Sequence, residues 1–373
     1  MRVLHVYSGN LYGGIESILV TIARRGGTTS IRHEFALCFE GRLSAELNAA
    51  GATVHQLGAV SMRRPHSVAA ARRALGGLVR GGTFDRVICH APWSQGVFGG
   101  VVRRAGCPLV FWAHDVMTGR HWTERLARRA APELAICNSS FTGRSLDRLY
   151  QGIPSLVLYA PVELPQPVTD AVRLHLRASL ETTPETVVVA QACRSEEWKG
   201  HEQLLDALAA LRGVPGWIWW QIGGAQRPHE RAFLERLRVK AAREGIGDRI
   251  RWLGERSDVG RLLAAADLYC QPNLEPEPFG IAFVEALAAG LPVLTTRQGA
   301  AEEIVDATCG VLVPPAQPAA LAASLRDLVT NSGRRHELAA QARERASRLC
   351  DPATQLQRLS GALIAMSPVP VPA

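Results

Sequence analysis

Pro272-Asn273-Leu274-Glu275-Pro276-Glu277-Pro278-Phe279-Gly280-Ile281-Ala282-Phe283-Val284-Glu285-Ala286-Leu287-Ala288-Ala289-Gly290-Leu291-Pro292-Val293 is a proline-rich polar loop that runs into an apolar helix. Residues 267–271 before it and 293–295 after it read as short buried strands, so the unit is strand, loop, helix, strand. Parallel strands joined by such crossovers form an open sheet that binds ligands at the carboxyl ends of its strands. The loop therefore lies at a ligand edge. Pro278 can open the helix at its first position, and Glu285 falls about two turns in. The first-turn N–H groups of Phe279, Gly280 and Ile281 have no helical partners and can face an anion. Glu277 and Glu285 can accept from sugar hydroxyls. Glu285 could be an ordinary exposed helix acid, but a carboxylate among Ala282, Phe283, Val284, Ala286 and Leu287 is costly without a partner.

Outward from this unit the same grammar repeats. Strands are expected at 3–7, 34–39, 53–56, 86–89, 109–113 and 133–138, then at 186–191, 218–222, 250–253 and 310–313. Helices are expected at 15–25, 44–50, 68–79, 96–104, 124–130 and 142–149. Further helices follow at 201–211, 229–244, 259–266, 281–289, 318–328 and 334–349. Residues 159–167 hold three prolines and read as a linker. The expected architecture is α/β: two Rossmann-like doubly wound domains facing across a cleft, spanning 1–160 and 161–350. Residues 351–373 form a C-terminal segment expected to pack back toward the N-terminal domain, and 367–373 is a proline-rich end with no structural signal.

Other strand ends also carry chemistry. Arg194-Ser195-Glu196-Glu197-Trp198-Lys199-Gly200 follows the 186–191 strand; there Arg194 offers a fork and Lys199 a point charge to a phosphate. Gly13-Gly14-Ile15-Glu16 lies at the first strand–helix turn, where paired glycines let an anion approach the backbone. The dehydrogenase fingerprint G-x-G-x-x-G is absent there, which counts against a nicotinamide cofactor. His114 and Asp115 end the 109–113 strand. His114 is read equally well as a polar group facing a ligand or as a capped strand-end histidine. Ser139 or Ser140 can cap the following helix. Arg256, in Leu253-Gly254-Glu255-Arg256, is open to a ligand role or to simple exposure.

Composition narrows the classes. The 373 residues are 47% hydrophobic and 20% charged, a globular balance. The N-terminus opens directly on a strand and no long apolar run occurs, so a cytoplasmic protein is expected. Eight scattered cysteines without C-x-x-C pairs suit free buried thiols better than disulfides or zinc. Residues 1–160 hold 19 Arg, no Lys and 9 acids, whereas the remainder holds 23 basic residues and 25 acids. The cationic first half is either a solvated arginine surface or a face for an anionic partner. Arg63, Arg64, Arg72 and Arg73 around an alanine-rich helix raise peripheral membrane contact at the cytoplasmic face as one such use. Nucleic acid is not an expected partner.

These residues resemble the family-four glycosyltransferases of the GT-B fold, whose signature is two glutamates around an E-x-F-G core, seven residues between them. Glu277 and Glu285 match it. The resemblance implies that Glu277 contacts the donor sugar and Glu285 the ribose. It implies that Arg194 and Lys199 hold the diphosphate, although Cys193 stands where the family has glycine. It further implies that Gly13 and Gly14 face the diphosphate, with Glu16 and Asp115 on the acceptor side. His114 lies by the transferred sugar and Arg256 by the base. The implied activity is retaining, metal-independent front-face transfer of a hexosyl group from a nucleoside-diphosphate sugar to a hydroxyl. The donor is expected to be UDP-sugar before GDP-sugar, and the acceptor a sugar, a lipid-linked sugar or a small molecule. No cofactor beyond that co-substrate is implied. Competing readings are a nucleotide-sugar epimerase or sugar phosphorylase on the same fold, a non-catalytic sugar-nucleotide-binding protein, and a nicotinamide dehydrogenase.

Overall fold

The computed structural model describes residues 1–165 and 167–366. Gln166, inside the predicted linker, and the proline-rich end 367–373 lie outside the described residues. The chain divides into two compact units: Met1–Val162 with Cys350–Ala373, and Glu163–Leu349.

The first unit begins with β1 (Arg2–Tyr7), α1 (Gly14–Arg25), β2 (Arg32–Leu37), α2 (Arg42–Ala49), β3 (Thr53–Gln56) and α3 (Pro65–Gly81). It continues with β4 (Arg86–His90), α4 (Ala91–Arg104), β5 (Leu109–Ala113), α5 (Trp122–Ala127), β6 (Leu134–Cys137), α6 (Ser140–Gly143) and β7 (Ser155–Val157). The strands are parallel in the order β3-β2-β1-β4-β5-β6-β7. Winding reverses between β1 and β4, the switch point at which such sheets open a crevice at their carboxyl edge. One face is closed by Val68, Ala71, Leu75 and Val79 of α3 and by Val97, Phe98 and Val102 of α4. Each such buried aliphatic or aromatic side chain stabilises by roughly 1.5–3 kcal/mol.

The second unit runs α7 (Asp170–Ser179), β8 (Val187–Ala192), α8 (His201–Ala209), β9 (Trp217–Ile222), α9 (Pro228–Arg243) and β10 (Ile250–Gly254). Then come α10 (Val259–Ala265), β11 (Leu268–Gln271), α11 (Ile281–Ala288), β12 (Val293–Thr296), α12 (Ala301–Ile304), β13 (Gly310–Val313) and α13 (Pro318–Thr330). Its parallel sheet has the order β10-β9-β8-β11-β12-β13, with the switch between β8 and β11. The long α14 (Ser332–Cys350) closes this unit, and α15 (Pro352–Ala365) packs against α1 of the first.

Several elements differ from the sequence reading: α12 and α15 are not in it, α6 ends at Gly143 instead of 149, and three more differences have a plain cause. α7 is absent from it because the helix buries a charge: only Leu176 and Arg177 face inward. The Arg177 guanidinium is held by the carbonyls of Ala265, Pro184 and Thr186 and by Asp267, which apolar periodicity cannot reveal. β7 is a three-residue strand with one exposed residue, too short for alternation to show. α11 starts at Ile281, with Gly280 as a left-handed N-cap at φ 96°. Pro278 thus lies before the cap and not in the first turn. All eight cysteines are free, and seven of them are buried.

Candidate functional site

The loops that leave β8 and β11 meet at the switch point of the second unit. Lys199 Nζ donates to Glu277 Oε2 at 2.8 Å. Asn273 Nδ2 donates to the same oxygen at 2.7 Å, and Gln271 Nε2 lies 3.4 Å from it. The other oxygen, Oε1, has no partner among the described residues. Glu277 is buried and Lys199 half-buried, so their charges meet in a medium that screens far less than water. Lys199 also lies 3.8 Å over the Trp198 ring. One backbone tie holds the loops together, Leu274 N–H donating to Trp198 O, and the Gln191 side chain of β8 secures its own loop by donating from Nε2 to Lys199 O.

Gly200 is required by this meeting. It adopts φ +74°, and a Cβ there would stand 1.9 Å from Pro272 O. Only glycine lets the β8 loop pass beneath the β11 loop so closely.

Arg194 points elsewhere. It pairs with Glu196 and, at 3.4 Å, with buried Glu230, whose carboxylate also accepts from the N–H groups of Gln226 and Arg227 at the start of α9. Cys193 is half-buried beside Arg194. Burial pushes its thiol up to about 12, with Lys199 and Arg194 opposing and Glu277 and Glu196 adding to the shift. Buried Tyr269 is likewise raised, first by burial and then by Cys193, Glu285 and Glu277. Glu285 is half-buried on α11 with no hydrogen-bond or ion-pair partner among the described residues. Burial raises its carboxyl to about 7. Phe279 and Gly280 are buried, and Ile281 forms the first helical residue. Arg256 is held bidentately by Asp258 at 2.8 and 2.7 Å.

The carboxyl edge of the first sheet holds the remaining predicted residues. Gly13 caps α1 and Gly14 is exposed behind it. Buried Glu16 accepts from Gly13 N–H at 2.9 Å, so its carboxylate secures the turn. Asp115 is exposed. His114 is buried; its carbonyl accepts from Asn138 Nδ2 at 3.0 Å, and its Nε2 lies 2.9 Å from His90 Nδ1. Its Nδ1 is buried with no partner among the described residues. Ser139 Oγ accepts from Thr142 N–H, an ordinary cap.

Lys199 and Glu277 are therefore joined, and Arg194 is paired with Glu196 and Glu230 instead. Among the described residues Glu285 makes no hydrogen bond or ion pair with any of them, and Arg256 is engaged by its own neighbour. Sequence reasoning missed Asn273, Gln271 and Glu230. Asn273 stands in the quoted loop four residues before Glu277, and that spacing was the available signal. Nothing in the sequence ties Glu230 to Arg194.

The family model for glycosyl transferases group 1 matches residues 173–345, and that for glycosyltransferase family 4 matches residues 12–164. A phosphatidyl-myo-inositol mannosyltransferase of Mycobacterium leprae is 37% identical over 156 residues, 41% of this chain and 40% of that protein. A D-inositol 3-phosphate glycosyltransferase of Jonesia denitrificans is 29% identical over 71% of this chain and 68% of its own. The chain spans about half the length, or less, of the first curated relatives it matches. The crystal structure of HepE from Anabaena, in complex with UDP and glucose, superposes with a TM-score of 0.86 at 25% identity, covering 98% of this chain and 100% of that one. With one glycosyltransferase model across each half and this fold, the chain belongs to the GT-B glycosyltransferases of the family-four type.

Proposed function

We propose that the chain is a retaining transferase that moves a hexosyl group from a uridine-diphosphate sugar to an acceptor hydroxyl without a required metal. The observation that carries this reading is the Lys199–Glu277 pair at the switch point of the second sheet, with Glu277 Oε1 left for a donor-sugar hydroxyl. Lys199 is placed to share its charge with the diphosphate, and Arg194 reaches the same phosphates by leaving Glu196. The N-terminus of α11 adds its dipole to the same end. Charge that develops on the leaving diphosphate is stabilised by groups already in place, which is how most of such a barrier is lowered. Glu277 orients the sugar, and Glu285 accepts from the ribose hydroxyls. The leaving diphosphate assists loss of the acceptor proton on the same face. Binding of UDP and glucose by HepE supports a uridine donor here.

The acceptor is assigned to the first unit, through Glu16, Asp115 and the loop 117–122. Sugars and lipid-linked sugars suit its polar edge and its arginine excess. α3 commits Val68, Ala71, Leu75 and Val79 to the core, so contact with an anionic bilayer would run through exposed Arg63, Arg64, Arg73 and Arg80 and the exposed Met62 beside them. No described helix is long and apolar enough to cross a membrane. Flotation with anionic liposomes at low salt tests that contact.

A thermal-shift panel of UDP, GDP, UDP-glucose and GDP-mannose tests the donor assignment. UDP compounds should raise Tm more than their GDP counterparts. Equal shifts from the two classes, or larger shifts from the GDP compounds, would contradict it.

A further inference from the structure

Four histidines cross the sheet of the first unit on one diagonal. Strand register pairs His33 with Val3, His5 with Ile88 and His90 with Trp112. Each successive histidine thus sits one strand across and two residues further along than the last, and residues two apart share a face. The rings meet accordingly. His33 Nδ1 lies 2.9 Å from His5 Nε2, His5 Nδ1 lies 2.9 Å from His90 Nε2, and His90 Nδ1 lies 2.9 Å from His114 Nε2. Their planes are stacked or tilted with centroids 5.1 to 5.2 Å apart. Phe35 stacks on His5, and Trp112 on both His90 and His114, which walls the row with apolar rings. His5, His90 and His114 are buried, and His33 is half-buried at the far end. His114 Nδ1 remains buried without a partner at the ligand edge. A buried polar atom in that condition is uncommon, and a ligand or ordered water is its usual resolution.

We propose that His33, His5, His90 and His114 form a proton relay between a hydroxyl bound at the ligand edge of the first unit and solvent at His33. The proposal deepens the transferase reading and rests on it. Burial lowers every ring: His114 to about 3, His33 to about 4, His5 and His90 well below their ordinary value. Near neutral pH each ring is neutral and carries one proton. Three contacts that each need one hydrogen allow two collective arrangements, with every ring protonated at Nε2 or every ring protonated at Nδ1.

In the first arrangement His114 Nδ1 offers a lone pair. When it takes the hydroxyl proton, His114 Nε2–H passes to His90 Nδ1. His90 Nε2–H then passes to His5 Nδ1, His5 Nε2–H to His33 Nδ1, and His33 Nε2–H leaves to solvent. The row ends neutral in the second arrangement, and one proton has crossed. After product departs, water takes the proton from His114 Nδ1 and another enters at His33 Nε2. Transfer to a hydroxyl liberates one proton per turnover; the leaving diphosphate polarises that hydroxyl, and the row takes up the proton during the transfer step and yields it to water after product departs.

The relay is tested on the full chain in two ways. Histidine labelled with nitrogen-15 should show all four rings in one shared tautomer; mixed tautomers in the row would overturn the proposal. UDP release from UDP-glucose, with water as acceptor, is then followed in single turnover for His5→Gln. Glutamine keeps hydrogen bonds to both neighbours but does not hand a proton on, and His5 is two rings away from His114. His5→Gln should lose on the order of 10- to 100-fold in rate, with KM for UDP-glucose unchanged, and His5→Phe should lose as much. Wild-type rate in His5→Gln would overturn the relay. His114→Phe separates this result from the site reading: if it retains wild-type rate, it is the placement of His114 at the substrate that fails.

Discussion

Lys199 Nζ and Glu277 Oε2 stand 2.8 Å apart although 78 residues separate them in the chain. The parallel sheet makes this contact, since β8 and β11 are neighbours and both loops leave at the same edge. Asn273 and Gln271 hold the acid in place from beneath, so its geometry does not depend on a bound ligand.

Asn273→Ala should therefore loosen Glu277 without removing a charge. A tenfold or smaller loss of turnover, with UDP affinity little changed, is expected; Glu277→Gln should cost on the order of 10²–10³. Steady-state UDP release measures both, and equal losses in the two variants would contradict the division of roles.

Gly200→Ala should unfold the second unit more readily. Its Cβ would meet Pro272 O at 1.9 Å, and the backbone is left-handed there. The strain alone is about 1–3 kcal/mol, and the displaced loop adds to it. A lowered Tm is the readout, and an unchanged Tm would show that the loops can part.

The two units differ in how far their sites could be read from the sequence. Strands β3, β5 and β13 fall at the residues expected; β5 is a buried apolar run with a sharp polar end, whereas β3 is a half-exposed edge strand. Glu277 and Lys199 could be singled out because their residue types suit phosphate and sugar at strand ends, and the structure joins the two side chains. The partners Asn273, Gln271 and Glu230 were not, since amides and acids in polar loops look alike until a fold selects among them. α15 was legible and passed over: Asp351 caps Thr354, Pro352 follows, and Leu356, Leu359 and Leu363 recur on one buried face. The histidine diagonal was beyond reach, because its register depends on which strands pair.

Glu285 should make both stability and donor binding depend on pH. Its folded carboxyl titrates near 7, raised by burial from an ordinary 4.5. Between those values the folded state holds a proton the unfolded chain lacks, so stability falls as pH rises from about 5 to about 7, by at most roughly 3 kcal/mol. Glu285→Gln should flatten this slope, with the variant more stable than the parent at pH 8. Denaturant titration at pH 5.5 and 8 measures it. A ribose hydroxyl favours the ionised acid, so UDP should bind the parent protein more tightly at pH 8 than at pH 6. The reverse order in calorimetry would contradict the ribose role.

Turnover in Lys199→Ala tests the donor-site assignment most directly. Asn273 and Gln271 keep Glu277 hydrogen-bonded in that variant, so circular dichroism should match the parent protein. UDP release should fall on the order of 10²–10³. Turnover close to that of the parent, in a folded variant, would contradict the assignment of this edge as the place where the donor diphosphate is held.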